Sequence, residues 1–263
     1  MEESQKKDAL GRKLAALDKK GWFPPELLAL VEAVCRLQEE TRASLTVSVD
    51  PAQVRGDLEH RQGAPLLPRE AFPVDVQGAE KLFLSLLDVT ESLPQLRTPS
   101  QLVRDRLVRG EIEPAALFRA YAAEDEAPFA AWEALAPDAP KLLPFLVYNA
   151  MEPWLEATGA ALLAQRPQLD VWPYGHCPVC GSPAFIGHLS APEPSRNEGR
   201  DINKGGKRLH VCSYCRADFR AKRLQCPFCL EEDHEEARLF HCGQRDGLSG
   251  PRLPHLQKLH QDC

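Results

Sequence analysis

Three pairs of cysteines in the second half of the chain have the spacing of metal ligands. Two residues separate the cysteines of each pair, and the pairs lie within 53 residues: Cys177 and Cys180, Cys212 and Cys215, Cys226 and Cys229. Their thiolates suit zinc or iron, and a tetrahedral site of this kind usually takes four ligands from two such pairs. The sequence therefore predicts one complete four-cysteine site and a second site that lacks half of its ligands.

The residues around these pairs predict a rubredoxin-like or zinc-ribbon module. Gly181 directly follows the first pair, where a metal knuckle turns back, and glycine accepts positive φ there without a steric penalty. The segments PAFIGHL, RLHV and ADFRAKRLQ are interpreted as strands of the ribbon. Pairing in chain order makes Cys177, Cys180, Cys212 and Cys215 the complete site, and a cross-braced order stays open.

The stretch between the first two pairs carries many charges. Its sequence, APEPSRNEGRDINKGGKR, is rich in Pro, Gly and charged residues, which predicts a mobile loop. From Arg196 to Arg223 there are nine Lys or Arg residues and three acidic ones. A zinc-ribbon nucleic-acid-binding protein is therefore an alternative function, although few aromatic residues interleave with these cations. A thiol oxidoreductase is a further alternative, but it needs one pair that stays free of metal.

The part of the chain before the cysteine pairs has the pattern of helices. Apolar residues recur at helical spacing, for example at Leu10, Leu14 and Leu17, and Gly21 then follows as a C-cap. A Pro-rich connection occupies residues 51–73, and Pro153 is expected to kink the last long helix.

No catalytic constellation stands out among these helices. His60 and the acidic pairs Glu39–Glu40 and Asp125–Glu126 are interpreted as a solvated surface. Cys35 lies alone in an apolar helical pattern, which indicates a small buried residue and not a reactive thiol.

Composition and charge favour a cytoplasmic protein. Hydrophobic residues make up 43% of the chain and charged residues 27%, as in ordinary globular proteins. The sequence contains no run of about 18 apolar residues, so it predicts no membrane insertion. The segment MEESQKKDALGRKL lacks the apolar core of a secretory signal. Residues 1–170 carry 19 Lys and Arg against 27 Asp and Glu, whereas residues 171–263 carry 13 against 11. The acidic first part argues against a nucleic-acid partner.

The cysteine motifs resemble those of a known family. The segments HCPVCGSPAFIGHL and RLHVCSYCRADFRAKRLQCPFC resemble the metal-binding half of the formate dehydrogenase accessory protein FdhE family. The segments FPVDVQGAEKLF and FLVYNAMEPWLEATGAALL are similar to parts of its helical half, so the resemblance covers most of residues 10–240. We therefore predict an α+β fold, with a mainly α-helical domain at 1–168 and a rubredoxin-like or zinc-ribbon module at 170–240.

The resemblance implies a cytoplasmic accessory protein and not an enzyme. Members of the family bind catalytic subunits of formate dehydrogenases during maturation, so the implied partner is such a subunit. The ligands implied by position are the six cysteines of the three pairs: Cys177, Cys180, Cys212, Cys215, Cys226 and Cys229.

The family's fourth cysteine pair has no counterpart in this chain. Residues 241–263 are predicted to be an aberrant, disordered tail, and the second site is predicted to be empty or labile. If Leu253 and Leu256 are both CTG codons, the next reading frame encodes two cysteines separated by two residues. This favours a frame change in the gene near Leu239–Cys242, and a naturally diverged C-terminus is the alternative. The local substitutes for the missing ligands are His234, His241, Cys242 and Cys263.

Overall fold

A computed structural model describes residues 2–166, 171–191, 193–197, 200–204, 206–223, 225, 226, 228, 230 and 231. Most of these residues are helical, and a small antiparallel sheet follows them in the chain. The predicted α+β class is confirmed. The predicted tail at 241–263 lies outside the described residues.

The contacts divide the chain into two compact units. The first contains residues 1–54 and 67–162, and the second contains residues 55–66 and 163–263. Residues 55–66 are thus grouped with the cysteine-rich part of the chain, although they come about a hundred positions before it. The division that we predicted, 1–168 and 170–240, stays a prediction.

The first unit is built from helices. Their order is α1 (Glu2–Asp18), α2 (Pro25–Ser44), α4 (Val76–Ser92), α5 (Arg97–Val108), α6 (Pro114–Ala122), α7 (Ala127–Leu135) and α8 (Leu142–Ala164), while α3 (Asp57–Arg61) belongs to the second unit. Short 3₁₀ helices occupy Pro51–Gln53 and Arg69–Ala71 in the Pro-rich connection. Gly21 has φ of +61° and follows α1, as predicted for a C-cap residue.

Helices α4 and α8 supply much of the core of this unit. The face of α4 that carries Leu82, Phe83 and Leu86 is buried, and α8 is buried around most of its circumference. A helix that is apolar on all sides belongs in the interior of a protein. At Gly78 a β-carbon would lie 2.7 Å from the ring of Trp154, so glycine permits a close approach of α4 to α8.

Pro153 lies inside α8, and its missing N–H is compensated from another helix. Proline cannot donate to the carbonyl four residues earlier, which is that of Asn149. The Nε2 atom of Gln38 on α2 donates to this carbonyl at 3.0 Å. Gln38 is only 6% exposed, so its amide stands where water cannot easily replace it.

The second unit contains all of the strands that the structure describes. A three-stranded antiparallel sheet has the order β1 (Ala184–Leu189), β4 (Arg208–Cys212) and β5 (Asp218–Arg220). These strands coincide with the segments predicted as the ribbon, although β4 extends one residue beyond RLHV and β5 is shorter than the segment ADFRAKRLQ. Ile186 pairs with Val211 and Leu189 with Arg208 across β1 and β4.

The insert between β1 and β4 is a hairpin, so the prediction of a loop was wrong. Strands β2 (Glu193–Asn197) and β3 (Arg200–Lys204) pair in antiparallel register over their whole length. The register places Glu193 opposite Lys204 and Arg196 opposite Asp201. The backbone pairing along both strands outweighs the polar, Pro- and Gly-rich composition of the insert.

Candidate metal centre

The first cysteine pair lies in a tight turn that leads into β1. The N–H of Cys177 donates to the carbonyl of Ser182 at 2.8 Å, and the N–H of Gly181 donates back to the carbonyl of Cys177 at 2.9 Å. The N–H of Val179 points at the Cys177 sulfur, 3.3 Å away. Gly181 has φ of +82°, as its position after the pair predicted. A backbone N–H aimed at sulfur stabilises a thiolate and is the expected geometry of a metal knuckle.

The second pair repeats this turn at the end of β4. The N–H of Cys212 donates to the carbonyl of Ala217 at 3.1 Å, and the N–H of Tyr214 lies 3.4 Å from the Cys212 sulfur. Here Arg216 holds the positive φ, at +56°. A non-glycine residue in this region is strained, and such strain persists only where the surroundings determine the conformation.

The four sulfurs of the two knuckles come together in one cluster. Cys177 and Cys215 have Sγ atoms 3.7 Å apart, those of Cys180 and Cys212 are 3.4 Å apart, and all four Sγ atoms lie within 4.8 Å of one another. A disulfide would need sulfurs about 2 Å apart. A tetrahedral ion with metal–sulfur bonds of about 2.3 Å places its sulfurs about 3.8 Å apart. The four cysteines are therefore positioned to bind a metal ion.

Burial makes this a closed cluster. The four cysteines are at most 4% exposed. Burial raises the pKa of the Cys177 thiol, whereas the hydrogen bond from Cys177 lowers the pKa of Cys180. Four thiolates this close repel one another unless a cation compensates their charge. The donor set thus fits a thiophilic divalent or trivalent ion that is enclosed by protein ligands.

The third pair begins a turn of the same kind. The N–H of Cys226 donates to the carbonyl of Glu231 at 2.9 Å, and the N–H of Leu230 donates to the carbonyl of Cys226 at 3.0 Å. Leu230 has φ of +62°, in the place that Gly181 and Arg216 take in the other knuckles. Arg208 on β4 donates to the carbonyl of Gln225 at 2.6 Å and ties this turn to the sheet.

The other predicted ligands of a second site lie outside the described residues: Cys229, His234, His241, Cys242 and Cys263. Within the described part of the chain, the four-cysteine cluster is the group of His, Cys, Asp and Glu side chains that could hold a metal ion.

Residues 55–66 support the first knuckle from a distant part of the chain. The N–H of Leu66 donates to the carbonyl of Pro178, between the two cysteines, at 2.9 Å. Leu66 is fully buried, and a β-carbon at Gly181 would lie 3.3 Å from the ring of Pro65. Glycine after the first pair is therefore favoured both by its φ and by this close neighbour.

His60 is a buried residue of the segment 55–66, so its interpretation as solvated surface was wrong. It is 5% exposed and stacks on Trp172, with ring centroids 4.8 Å apart. Its Nδ1 atom lies 2.8 Å from the carbonyl of Ala64, which closes the turn after α3. The ring of His176 reaches the same turn, since its Nε2 atom is 2.8 Å from the carbonyl of Gly63.

No local pattern marks His60 as part of the site. Its partner Trp172 is more than a hundred residues away in the chain, and this tryptophan connects the turn to the sheet. The backbone N–H of Trp172 donates to the carbonyl of Arg220 on β5, and its indole N–H donates to the carbonyl of His176 next to Cys177.

Cys35 lies apart from the cluster, in the first unit. It is half-buried, and burial raises the pKa of its thiol. A protonated thiol is a weak nucleophile, which agrees with the interpretation of Cys35 as a packing residue and not a reactive one.

The structure of the chain is similar to that of a solved protein. The crystal structure of the FdhE protein from Pseudomonas aeruginosa is 22% identical to this chain and has a TM-score of 0.48. The match covers 90% of this chain and 73% of that chain. The chain is thus similar to a protein of the family that its cysteine motifs indicated. No family model matches the sequence, and no curated protein matches it.

None of the helices in the described residues combines the length and the apolar content that a membrane span requires.

Proposed function

We propose that this chain is an accessory protein for the maturation of formate dehydrogenase, which it serves by binding the catalytic subunit in the cytoplasm. In this proposal the chain is not itself an enzyme. The observation that carries the proposal is the closed four-cysteine cluster, because it is built from the same two knuckle motifs that resemble the FdhE family.

The closed cluster favours a structural role for the metal. A catalytic metal keeps one coordination position open for water or substrate, whereas a structural metal is surrounded by four protein ligands. All four thiols here are buried, so a bound ion has no open position that faces solvent. The ion would hold the first two knuckles against each other and thereby fix the strands that follow them.

The cluster also disfavours the thiol oxidoreductase alternative. A redox pair needs an accessible thiolate with a lowered pKa. The sulfurs of the complete site are enclosed, and each lies near sulfurs of the other pair. Zinc and iron both accept such a ligand set, so we propose one of these two ions for the site.

Co-purification tests the proposed partner. The tagged chain should be expressed in its source grown with formate, purified without oxygen and analysed for bound proteins. We expect a formate dehydrogenase catalytic subunit to be enriched over a control with an unrelated tagged protein. If that subunit is absent while the chain is folded and metal-loaded, the proposed partner is wrong.

The chain purified free of its partner tests the absence of catalysis and the nature of the metal. This chain alone should not oxidise formate, and turnover by a preparation without any formate dehydrogenase subunit would contradict the proposal. Elemental analysis identifies zinc or iron. Binding of RNA or DNA that survives moderate salt would instead favour the nucleic-acid alternative.

A further inference from the structure

Strand β1 forms an exposed edge of the three-stranded sheet. It pairs with β4 on one side, and no described strand pairs with its other side. Every residue of β1 after Ala184 is exposed, including the apolar residues Phe185, Ile186 and Leu189, which are 56%, 50% and 58% exposed. An apolar edge strand with solvent on both faces is unusual in a stable monomer.

The register shows which backbone groups of β1 point outward. The N–H of Cys212 donates to the carbonyl of Ala217, and the carbonyl of Arg208 accepts from the N–H of Ala221, so both bonds go to the two residues that flank β5. Successive residues of a strand point their backbone groups to opposite sides, so the residues of β4 that alternate with these two turn toward β1. Those residues, Leu209 and Val211, lie opposite His188 and Ile186. The backbone groups of Gly187 and Leu189 therefore point to the open edge, where another strand could pair with them.

This edge lacks the usual protection against pairing. Proteins discourage strand addition with charged residues, prolines or bulges along an edge. A bulge lies at the start of β1, between Ala184 and Ile186, but the strand contains no Lys, Arg, Asp, Glu or Pro. The part from Ile186 to Leu189 is thus regular and available.

The charges around β1 indicate the kind of segment that fits. Residues 206–223, which contain β4 and β5, carry six Lys or Arg and one Asp, although the whole chain has a net charge of −6. The guanidinium of Arg216 lies over the ring of Phe185 at 4.5 Å, and Lys207, whose carbonyl accepts from the N–H of Ser190, lies near the other end of the strand. An acidic segment complements this surface, while a second copy of the same strand would bring cations against cations.

Nucleic acid fits the edge less well. Single strands bind to basic surfaces mainly by stacking bases on open aromatic rings. The aromatic side chain on β1 is Phe185, and Arg216 covers one face of its ring. The remaining exposed side chains of the strand are aliphatic residues and a histidine, which suit the alternating side chains of an extended peptide.

We propose that the free edge of β1 is a docking site for an extended, acidic and aliphatic segment of a partner protein, which adds to the sheet as a fourth strand next to Gly187–Leu189. The backbone groups of the edge supply affinity, and Ile186, Leu189 and the flanking cations select the segment. This surface is inferred from the strand and its charges alone, so it does not depend on the identity of the partner.

Hydrogen exchange on the metal-loaded full chain tests the proposal. The probe is a short synthetic peptide that alternates Glu or Asp with Val, compared with a peptide that has Lys in place of each acid. The amides of Gly187 and Leu189 should exchange quickly in the free chain and be protected by the acidic peptide. The amides of Ile186 and His188 should be protected in both states, because they already face β4.

Two variants control for general effects. Replacing both Ile186 and Leu189 with Asp should weaken binding of the acidic peptide at least about tenfold, as expected for loss of roughly 1.4 kcal/mol. Val108→Asp changes an exposed apolar residue of α5 in the same way and should leave the affinity unchanged. Metal content and circular dichroism confirm that both variants are folded.

Four outcomes would overturn the proposal. The first is that the acidic peptide adds no protection to the amides of Gly187 and Leu189, and the second is that the basic peptide protects them equally. The third is that their protection rises with protein concentration alone. The fourth is that an oligonucleotide displaces the peptide and protects the same amides. The third would identify the edge as a contact between copies of this chain. The fourth would identify a nucleic-acid surface.

Discussion

Replacing Gln38 with Met should destabilise the helical unit because it removes the donor that compensates for Pro153. Methionine keeps nearly the length and volume of the side chain but has no N–H. The carbonyl of Asn149, now 3.0 Å from Gln38 Nε2, would be left without this partner at a buried position. An unsatisfied buried polar group costs about 1–3 kcal/mol, so we expect the free energy of unfolding to fall by about that amount.

A second substitution isolates the cause. Pro153→Ala returns an N–H to α8 four residues after Asn149, so the carbonyl no longer needs Gln38. The cost of Gln38→Met should therefore be smaller in the Pro153→Ala background by about 1 kcal/mol. The stability change caused by Pro153→Ala alone combines a gain in helix propensity with a loss of buried volume. The test therefore depends on the coupling energy between Gln38→Met and Pro153→Ala, and not on either single effect.

Urea denaturation followed by far-ultraviolet circular dichroism measures these four chains. The slope of the transition should be the same in all of them, which indicates that the same surface is exposed on unfolding. Thr41→Ala is a matched control on α2, since its hydroxyl bonds only within its own helix, to the carbonyl of Leu37. Additive effects of Gln38→Met and Pro153→Ala, or a neutral Gln38→Met, would refute the reasoning.

The remaining predictions concern the metal and the gene. The purified chain should hold close to one tightly bound metal ion, which elemental analysis measures, and two ions per chain would contradict the prediction. Cys177→Ser should release this ion and loosen the sheet, because metal binding and local folding are coupled, while Cys35→Ser should do neither. Because burial raises the pKa of Cys177, that thiol is protonated in the metal-free chain at neutral pH, so zinc loading should release protons and weaken as the pH falls. Calorimetry in buffers of different ionisation enthalpy measures this proton release, and zinc binding without any proton release would contradict the prediction. Resequencing should find CTG or TTG codons at Leu253 and Leu256, since any other leucine codon removes the hidden cysteine pair.

The sequence alone was sufficient for the features that depend on neighbouring residues. The spacing of Cys177 and Cys180, with Gly181 next, predicts a knuckle because two thiolates and a positive φ are needed within a few residues. The helical period of apolar residues likewise predicts α1 and α2, since one face of each helix must be buried. These patterns act within one or two turns of chain, so they can be recognised without the fold.

The tertiary structure decided everything that joins distant residues. Burial of His60 against Trp172, and the bond from Leu66 to Pro178, require residues 55–66 to pack on a knuckle more than a hundred positions later. The positive φ of Arg216 and the exposure of β1 carry no signal in their own residue types. Whether a side chain is buried, strained or left at an open edge depends on which distant residues surround it, and only the packed fold determines those neighbours.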